Sequence, residues 1–217
     1  MKWIDKKAAN EPQTLRDYRQ TTPNASYKGF TDADKLLKKA LCSEQGSICC
    51  YCMRRISIDK LSVEHYITQT RHENSPFSES EHRENELLYQ NMLASCNDKS
   101  RNCSGIRGNN LLIINPLQQK IERHFGYKNN GEIYALNENT AFENDIKTLD
   151  LNKKGQNSWL VQNRAAVVER ARERLHNDFS KQNIQKEIAY WQRLENGEYK
   201  EFCQVALFYL NKKLRIL

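Results

Sequence analysis

Two cysteine pairs carry the clearest chemistry in this sequence. Cys49 and Cys52 stand in a C-x-x-C spacing within "ICCYC" at residues 48 to 52, and "SCNDKSRNC" contributes Cys96 and Cys103, with six residues between them. The first spacing lets two thiolates of one tight turn point at the same tetrahedral metal, and a second pair closes the site. The 43 residues between Cys52 and Cys96 leave room for a hairpin and a loop that bring the pairs together. The expectation is a four-cysteine zinc site made by Cys49, Cys52, Cys96 and Cys103. Its metal would be structural, because four thiolates leave no position for a water or substrate. Cys50, between the ligands, is an alternative to Cys49, whereas Cys42 and Cys203 read as small buried hydrophobes. A redox pair at Cys49 and Cys52 lacks the βαβ context such pairs occupy, and a disulfide framework is disfavoured where thiols are kept reduced.

With the metal structural, reactive groups must come from elsewhere, and one histidine lies between the pairs. "LSVEHYI" sets Leu61, Val63, His65 and Ile67 at period two, which predicts a strand or hairpin arm carrying His65, with Glu64 on the opposite face. A strand histidine on an alternating apolar face is by itself more often a packed core residue. Asn91, five residues before Cys96 in "YQNMLASC", adds a second polar group to the constellation. His72 and His82 fall in a polar stretch and read as solvated.

The elements that must position these groups are unevenly legible. Residues 1 to 30 mix polar residues, two prolines and scattered aromatics (Trp3, Tyr18, Tyr27, Phe30), which predicts an extended arm. Thr31, the stripe Leu36, Leu37, Ala40 and Leu41, and the stop at Gly46 predict a helix over 32–45. Residues 71–86 read as a long loop, a helical start is expected at "ENELLYQNM" or just after Asn91, and "LLIINPLQQ" reads as a short buried stretch ended by Pro116. The last third is helical by pattern. Leu160, Val167, Val168, Ala171 and Leu175 mark one helix, Ile184, Ile188, Trp191 and Leu194 a second, and Phe202, Val205, Ala206, Tyr209 and Leu210 a third, with Leu207 and Phe208 beside the last stripe and exposed. The polar "LNKKGQNS" at 151–158 is the expected boundary before these helices.

Only 38% of the 217 residues are hydrophobic, a lean core, and the formal charge of +7 suits contact with a polyanion without establishing it. Arg54, Arg55, Arg71, Arg83, Lys99, Arg101 and Arg107 are the basic positions near the cysteines and His65, candidates for phosphate contacts. Arg164, Arg170, Arg172 and Arg174, interspersed with Glu169 and Glu173, read as a salt-bridged exposed face. No stretch serves as a secretory signal or a membrane span, so the expected location is cytoplasmic, with no membrane partner.

The segments "GSICCYCMRRI", "SVEHY", "YQNMLASC" and the closing "NC" resemble the HNH nucleases with the ββα-metal motif. More closely, they resemble the PtuB-type HNH proteins of Septu and related retron-associated anti-phage systems. "EPQTLRDYR" and "LDLNKKGQNSWLVQNR" extend the similarity from about residue 11 to about residue 175. The resemblance implies an α+β, mostly helical chain: an N-terminal arm (1–30, docking a partner), a zinc-stapled HNH core (31–125) and a C-terminal mainly helical region (126–217). It implies His65 as general base, Asn91 as its brace, and Glu64 as an acidic ligand of a catalytic Mg2+ or Mn2+. After the second cysteine pair the family places a His or Asn on that ion. Here Ser104 stands there, the pair is spaced by six residues instead of two, and Asn97, Asp98, Asn102, Asn109, or a phosphate and waters are candidates to complete the site. The implied activity is endonucleolytic hydrolysis of nucleic acid, DNA before RNA or transfer RNA, as an anti-phage effector controlled by a PtuA-like ATPase. The competing reading is a non-catalytic zinc-stabilised module that binds nucleic acid or a partner.

The chemistry of that reaction is general. Phosphodiester cleavage needs an activated water and a cation for the charge that builds on phosphorane and leaving oxygen. A neutral imidazole, ordinarily titrating at roughly 6.5, takes the water's proton if its other nitrogen is fixed by a hydrogen bond. Glu64 and His65 serve one phosphate only if a bulge or twist turns them together; on a regular strand Glu64 would be solvent-facing.

Overall fold

The computed structural model describes residues 1–97, 102–153, 155 and 158–216. Asp98, Lys99, Arg101 and part of the 151–158 boundary segment lie outside them. The architecture is α+β and mostly helical, with two small two-stranded antiparallel sheets among the described residues.

The first 30 residues are not an extended arm. Gln13–Thr21 form helix α1, which starts after Pro12 and buries Leu15, and Arg19 donates to the carbonyl of Leu87. Apolar contact with the body decides the conformation here: Trp3, Tyr18, Tyr27 and Phe30 are half-buried against the core. Helix α2 (Leu36–Glu44) buries Leu37, Leu41 and Cys42, as its stripe demands, and ends at Gly46. That glycine sits at φ +58, a left-handed conformation that suits glycine, and a Cβ there would meet the Tyr199 ring at 2.5 Å.

Strand β1 (Leu61–His65) pairs antiparallel with β2 (Met92–Cys96), residue against residue from Leu61 opposite Cys96 to His65 opposite Met92. The ladder is regular, with no bulge. β2 stands where a helical start was expected after Asn91; all five of its residues are buried, so no polar alternation marks it in the sequence. The polar stretch between the strands contains α3 (Glu79–Asn85), begun by a capping box in which Ser78 and Glu81 exchange side-chain and backbone hydrogen bonds. His82 on this helix is fully buried rather than solvated, bonded to the Thr68 carbonyl and to Ser75 Oγ. A one-turn helix, α4 (Ser104–Arg107), follows the second cysteine pair.

Beyond it, β3 (Phe125–Tyr127) and β4 (Ile133–Ala135) form the second hairpin, and α5 (Thr140–Thr148) packs against β4. The final three helices, α6 (Trp159–Glu173), α7 (Lys181–Gln192) and α8 (Cys203–Leu214), bury most of the residues their stripes single out; Leu194 is exposed. Leu207 is buried and Phe208 sits edge-on to Tyr127 and Tyr134, so neither forms an exposed apolar patch. Arg164 departs from the expected exposed face: it is buried and donates to the carbonyls of Gly131 and Leu151. Arg174 pairs with Glu187 on α7 and Arg172 with Glu169. Buried apolar residues from Met1 to Leu210 form one continuous cluster, and Phe202 N–H donates to the carbonyl of Met53 across it.

Candidate functional site

The β1–β2 ladder carries a different polar cluster at each end. At the Cys96 end, Cys49 and Cys52 come from the turn after α2, Cys96 from the last position of β2, and Cys103 from the residue that opens α4. Their four sulfurs lie within 4.8 Å of one another, all buried. Cys103 adopts φ +57, turning the chain sharply from the ligand into the helix. The Cys52 and Cys96 sulfurs are 3.9 Å apart, close to the ~3.8 Å edge of a tetrahedron built on a metal–sulfur bond of ~2.3 Å. The donor set therefore fits a thiophilic tetrahedral metal. Cys50 is buried outside the cluster, which selects Cys49 over it.

Electrostatics point the same way. Burial opposes ionising Cys49, but hydrogen bonds from Cys103, Cys50, Cys52 and Cys96 outweigh it and hold that thiol well below its ordinary range. Burial pushes Cys103 well up. Cys49 and Cys103 are thus driven in opposite directions, a conflict that a dication between them would remove. The backbone contributes as well, with Cys96 N–H donating to Cys49 Sγ at 3.4 Å.

At the opposite end of the ladder His65 is buried, 7% exposed. Its Nε2 lies 2.9 Å from the carbonyl oxygen of Glu86, an acceptor, so Nε2 carries the proton and Nδ1 holds the lone pair. Nδ1 faces the amide nitrogen of Gln69 at 3.4 Å, an exposed side chain on the loop after β1. Burial lowers the His65 pKa, against an opposing pull from the Glu86 carbonyl, which keeps the ring neutral. The ring of Tyr27 stands edge-on to His65, centroids 4.6 Å apart.

Asn91 does not touch the imidazole. Its Oδ1 accepts from Ile67 N–H at 2.8 Å and its Nδ2 donates to the carbonyls of Ile67 and Asn85, both at 2.9 Å. It thereby ties the chain just after His65 to the segment that carries Glu86.

Glu64 lies on the other face, as a regular strand requires, but it is buried rather than solvent-facing. One carboxylate oxygen accepts from Arg107 and from Tyr51 Oη (2.9 Å), and the other from Ser104 Oγ. Arg107, expected as a surface phosphate contact, is 1% exposed. It also donates to the carbonyls of His65 (2.9 Å), Tyr66 (2.7 Å) and Asn110 (3.1 Å). The structure thus brings Glu64 and Ser104 together, yet not as an open set of oxygens for Mg2+ or Mn2+: both carboxylate oxygens are committed, and a guanidinium already supplies the positive charge. These residues do not fit a divalent ion as they stand. Of the other candidate ligands, Asn102 is buried and accepts from Cys96 Sγ, Asn97 and Asn109 are exposed, and Asp98 is outside the described residues.

Sequence reasoning named Arg107 as a phosphate contact and not as the partner of Glu64, and it missed Tyr51, Gln69 and the Glu86 carbonyl as members of the site. Gln69 carried a weak signal, four residues beyond His65; a lone arginine bound by remote carbonyls carried none.

No family model matches the chain. A protein of Vibrio cholerae serotype O1 biovar El Tor, named "Retron Vc95 putative HNH endonuclease", is 26% identical to it over 158 residues, spanning 66% of this chain and 74% of the relative. Among the described residues no helix is long and apolar enough to cross a membrane.

Proposed function

We propose that this chain is an HNH-type endonuclease that hydrolyses phosphodiester bonds of nucleic acid, with DNA favoured over RNA or transfer RNA. In this reading it is a cytoplasmic anti-phage effector of the PtuB kind, in a Septu-like or retron context, and a PtuA-like ATPase controls when it cuts. The retron-named relative supports the nuclease at a coarse level. The observation that carries the reading is the state of His65: a neutral imidazole whose Nε2–H is fixed by a backbone carbonyl while Nδ1 holds a lone pair beside an exposed, displaceable amide.

In that arrangement His65 Nδ1 takes the proton of a water as its oxygen attacks phosphorus, and the bond from phosphorus to the leaving oxygen breaks. Asn91 acts as a positioning residue, holding the segments on either side of the ring. The β1–β2–α4 order, with β1 ending at His65 and α4 opening at the last metal cysteine, is the part of the fold that supports a ββα-metal core. Zinc is the metal proposed for the four cysteines, where it staples this unit. A requirement for Mg2+ or Mn2+ comes with the HNH reading, in which the ion would stabilise the charge that builds on the phosphate.

The test is cleavage of plasmid DNA and total RNA by wild type and His65→Ala, with Mg2+ or Mn2+ and with EDTA, alone and with the ATPase. Metal-dependent cutting that His65→Ala lowers by 100-fold or more supports the reading. Equal cutting by both proteins overturns it. The burial of His65 under Tyr27 favours a second reading, the zinc-stabilised binding module, in which His65→Ala keeps both the fold and nucleic-acid or partner binding.

A further inference from the structure

Glu64 carries the buried carboxylate that the HNH resemblance would give to a divalent ion, and it already has a cation. Arg107 approaches it from α4, and the same guanidinium reaches the carbonyls of His65, Tyr66 and Asn110. Every nitrogen of the guanidinium is engaged, and its planar fork is held from three sides. Tyr51 and Ser104 complete the enclosure by donating to the carboxylate. An exposed arginine would swing aside for a metal at little cost. This one is buried and bonded through all three nitrogens, and displacing it would leave a buried cation without its counter-charge.

We propose that Arg107 is the resident counter-cation of Glu64, so that Glu64 and Ser104 close an internal network and do not hold the divalent ion. This rests on the proposed nuclease only in saying which ion Glu64 would otherwise take. The network also has a chemical logic of its own. Magnesium demands near-octahedral oxygens and keeps several waters, whereas this carboxylate is met by a guanidinium, a phenol and a serine hydroxyl, all donating to it. Any divalent ion that serves hydrolysis is then held by other ligands or by the nucleic acid phosphates.

The decisive experiment is a Mn2+ titration of the zinc-loaded wild-type chain followed by 1H–15N NMR, with Mn2+ itself as the probe. Paramagnetic broadening reports proximity without requiring any substitution. The expected result is that the amides of Glu64 and Ser104 broaden no earlier than those of the exposed surface. If they vanish first, at a Mn2+ level well below one per chain, and Glu64→Gln abolishes that early broadening, Glu64 binds the ion and the proposal fails; early broadening that survives Glu64→Gln places the ion on other ligands nearby, as proposed. A second arm uses Arg107→Gln, accepted only if it retains its zinc. There the freed carboxylate should recruit Mn2+ at least tenfold more tightly than wild type, and a folded Arg107→Gln chain with unchanged Mn2+ affinity also overturns the proposal. Neither arm depends on cleavage, so a loss of the nuclease reading through His65→Ala leaves this result standing.

Discussion

The two ends of the β1–β2 ladder solve the same problem in opposite ways. At the Cys96 end, four buried thiols converge within 4.8 Å of one another, and among the described residues no side-chain hydrogen bond or ion pair joins a cation to any of them, a set that could hold an ion from outside. At the His65 end, a buried carboxylate meets a buried guanidinium four residues past Cys103, and the charges balance within the chain. With a metal bound, the first arrangement would couple folding to metal supply; the second is independent of it. The difference teaches that burial by itself does not mark a metal site. What marks one is a set of buried anionic donors that nothing in the chain neutralises.

Predictions follow from breaking each end in turn. The largest effect is expected from Cys52→Ser, or from stripping the metal with a strong chelator. Either should drop bound metal from one per chain to none and abolish the cooperative thermal transition, because metal binding in such sites is worth on the order of 10 kcal/mol of folding free energy. A chain that keeps its transition while free of metal would remove the contrast between the two ends. Next, Arg107→Ala should destabilise by about 3–5 kcal/mol in urea unfolding, by leaving a buried carboxylate without a counter-charge. Replacing both partners, Glu64→Gln with Arg107→Met, should cost less than the single change, and the order of the two curves is the measurement.

A smaller effect concerns pH. Burial lowers the His65 pKa, so the folded ring stays neutral while the unfolded one protonates below roughly pH 6.5. The stability associated with the neutral ring is thus fully present above that pH and declines as pH falls toward the folded value, by at most about 1.4 kcal/mol per pH unit. His65→Gln should flatten this part of the stability profile between pH 7 and 5; an unchanged slope would mean that folding leaves the His65 pKa where it is in the unfolded chain. The smallest effect is Ser78→Ala, which removes the α3 cap remote from both clusters. About 1 kcal/mol is expected, seen as a modest shift of the urea midpoint at constant slope.

How much of this was readable in the sequence depended on whether a residue's partner was local. Four cysteines in two spaced pairs declare one another, and the amphipathic stripes of α2, α6 and α8 show which face is buried. The helix α3 was also legible in principle, since Ser78 and Glu81 stand at capping-box spacing ahead of it. β2 was not, because a strand buried on both faces shows no alternation. Nor were Arg107 and Arg164: their acceptors are largely backbone carbonyls of distant segments, and any residue type supplies a carbonyl. The strand, face and spacing of His65 could be read, but its tautomer could not, since that rests on the carbonyl of Glu86. The N-terminal segment was read as extended because prolines and scattered aromatics hide the α1 stripe, whereas α1 forms and the aromatics are half-buried against the chain's own core.

One further feature of the ladder lies on its outer edge. The side chain of Gln45 accepts from Ala94 N–H at 2.7 Å and donates to the Ala94 carbonyl at 2.8 Å. A single carboxamide there imitates one peptide unit of a third strand, and Cys50 N–H shares the same carbonyl. A strand edge left open invites another chain to add to it. Here the invitation is withdrawn by one glutamine, so the hairpin ends as a finished two-stranded piece, closed to growth by intermolecular pairing on that side.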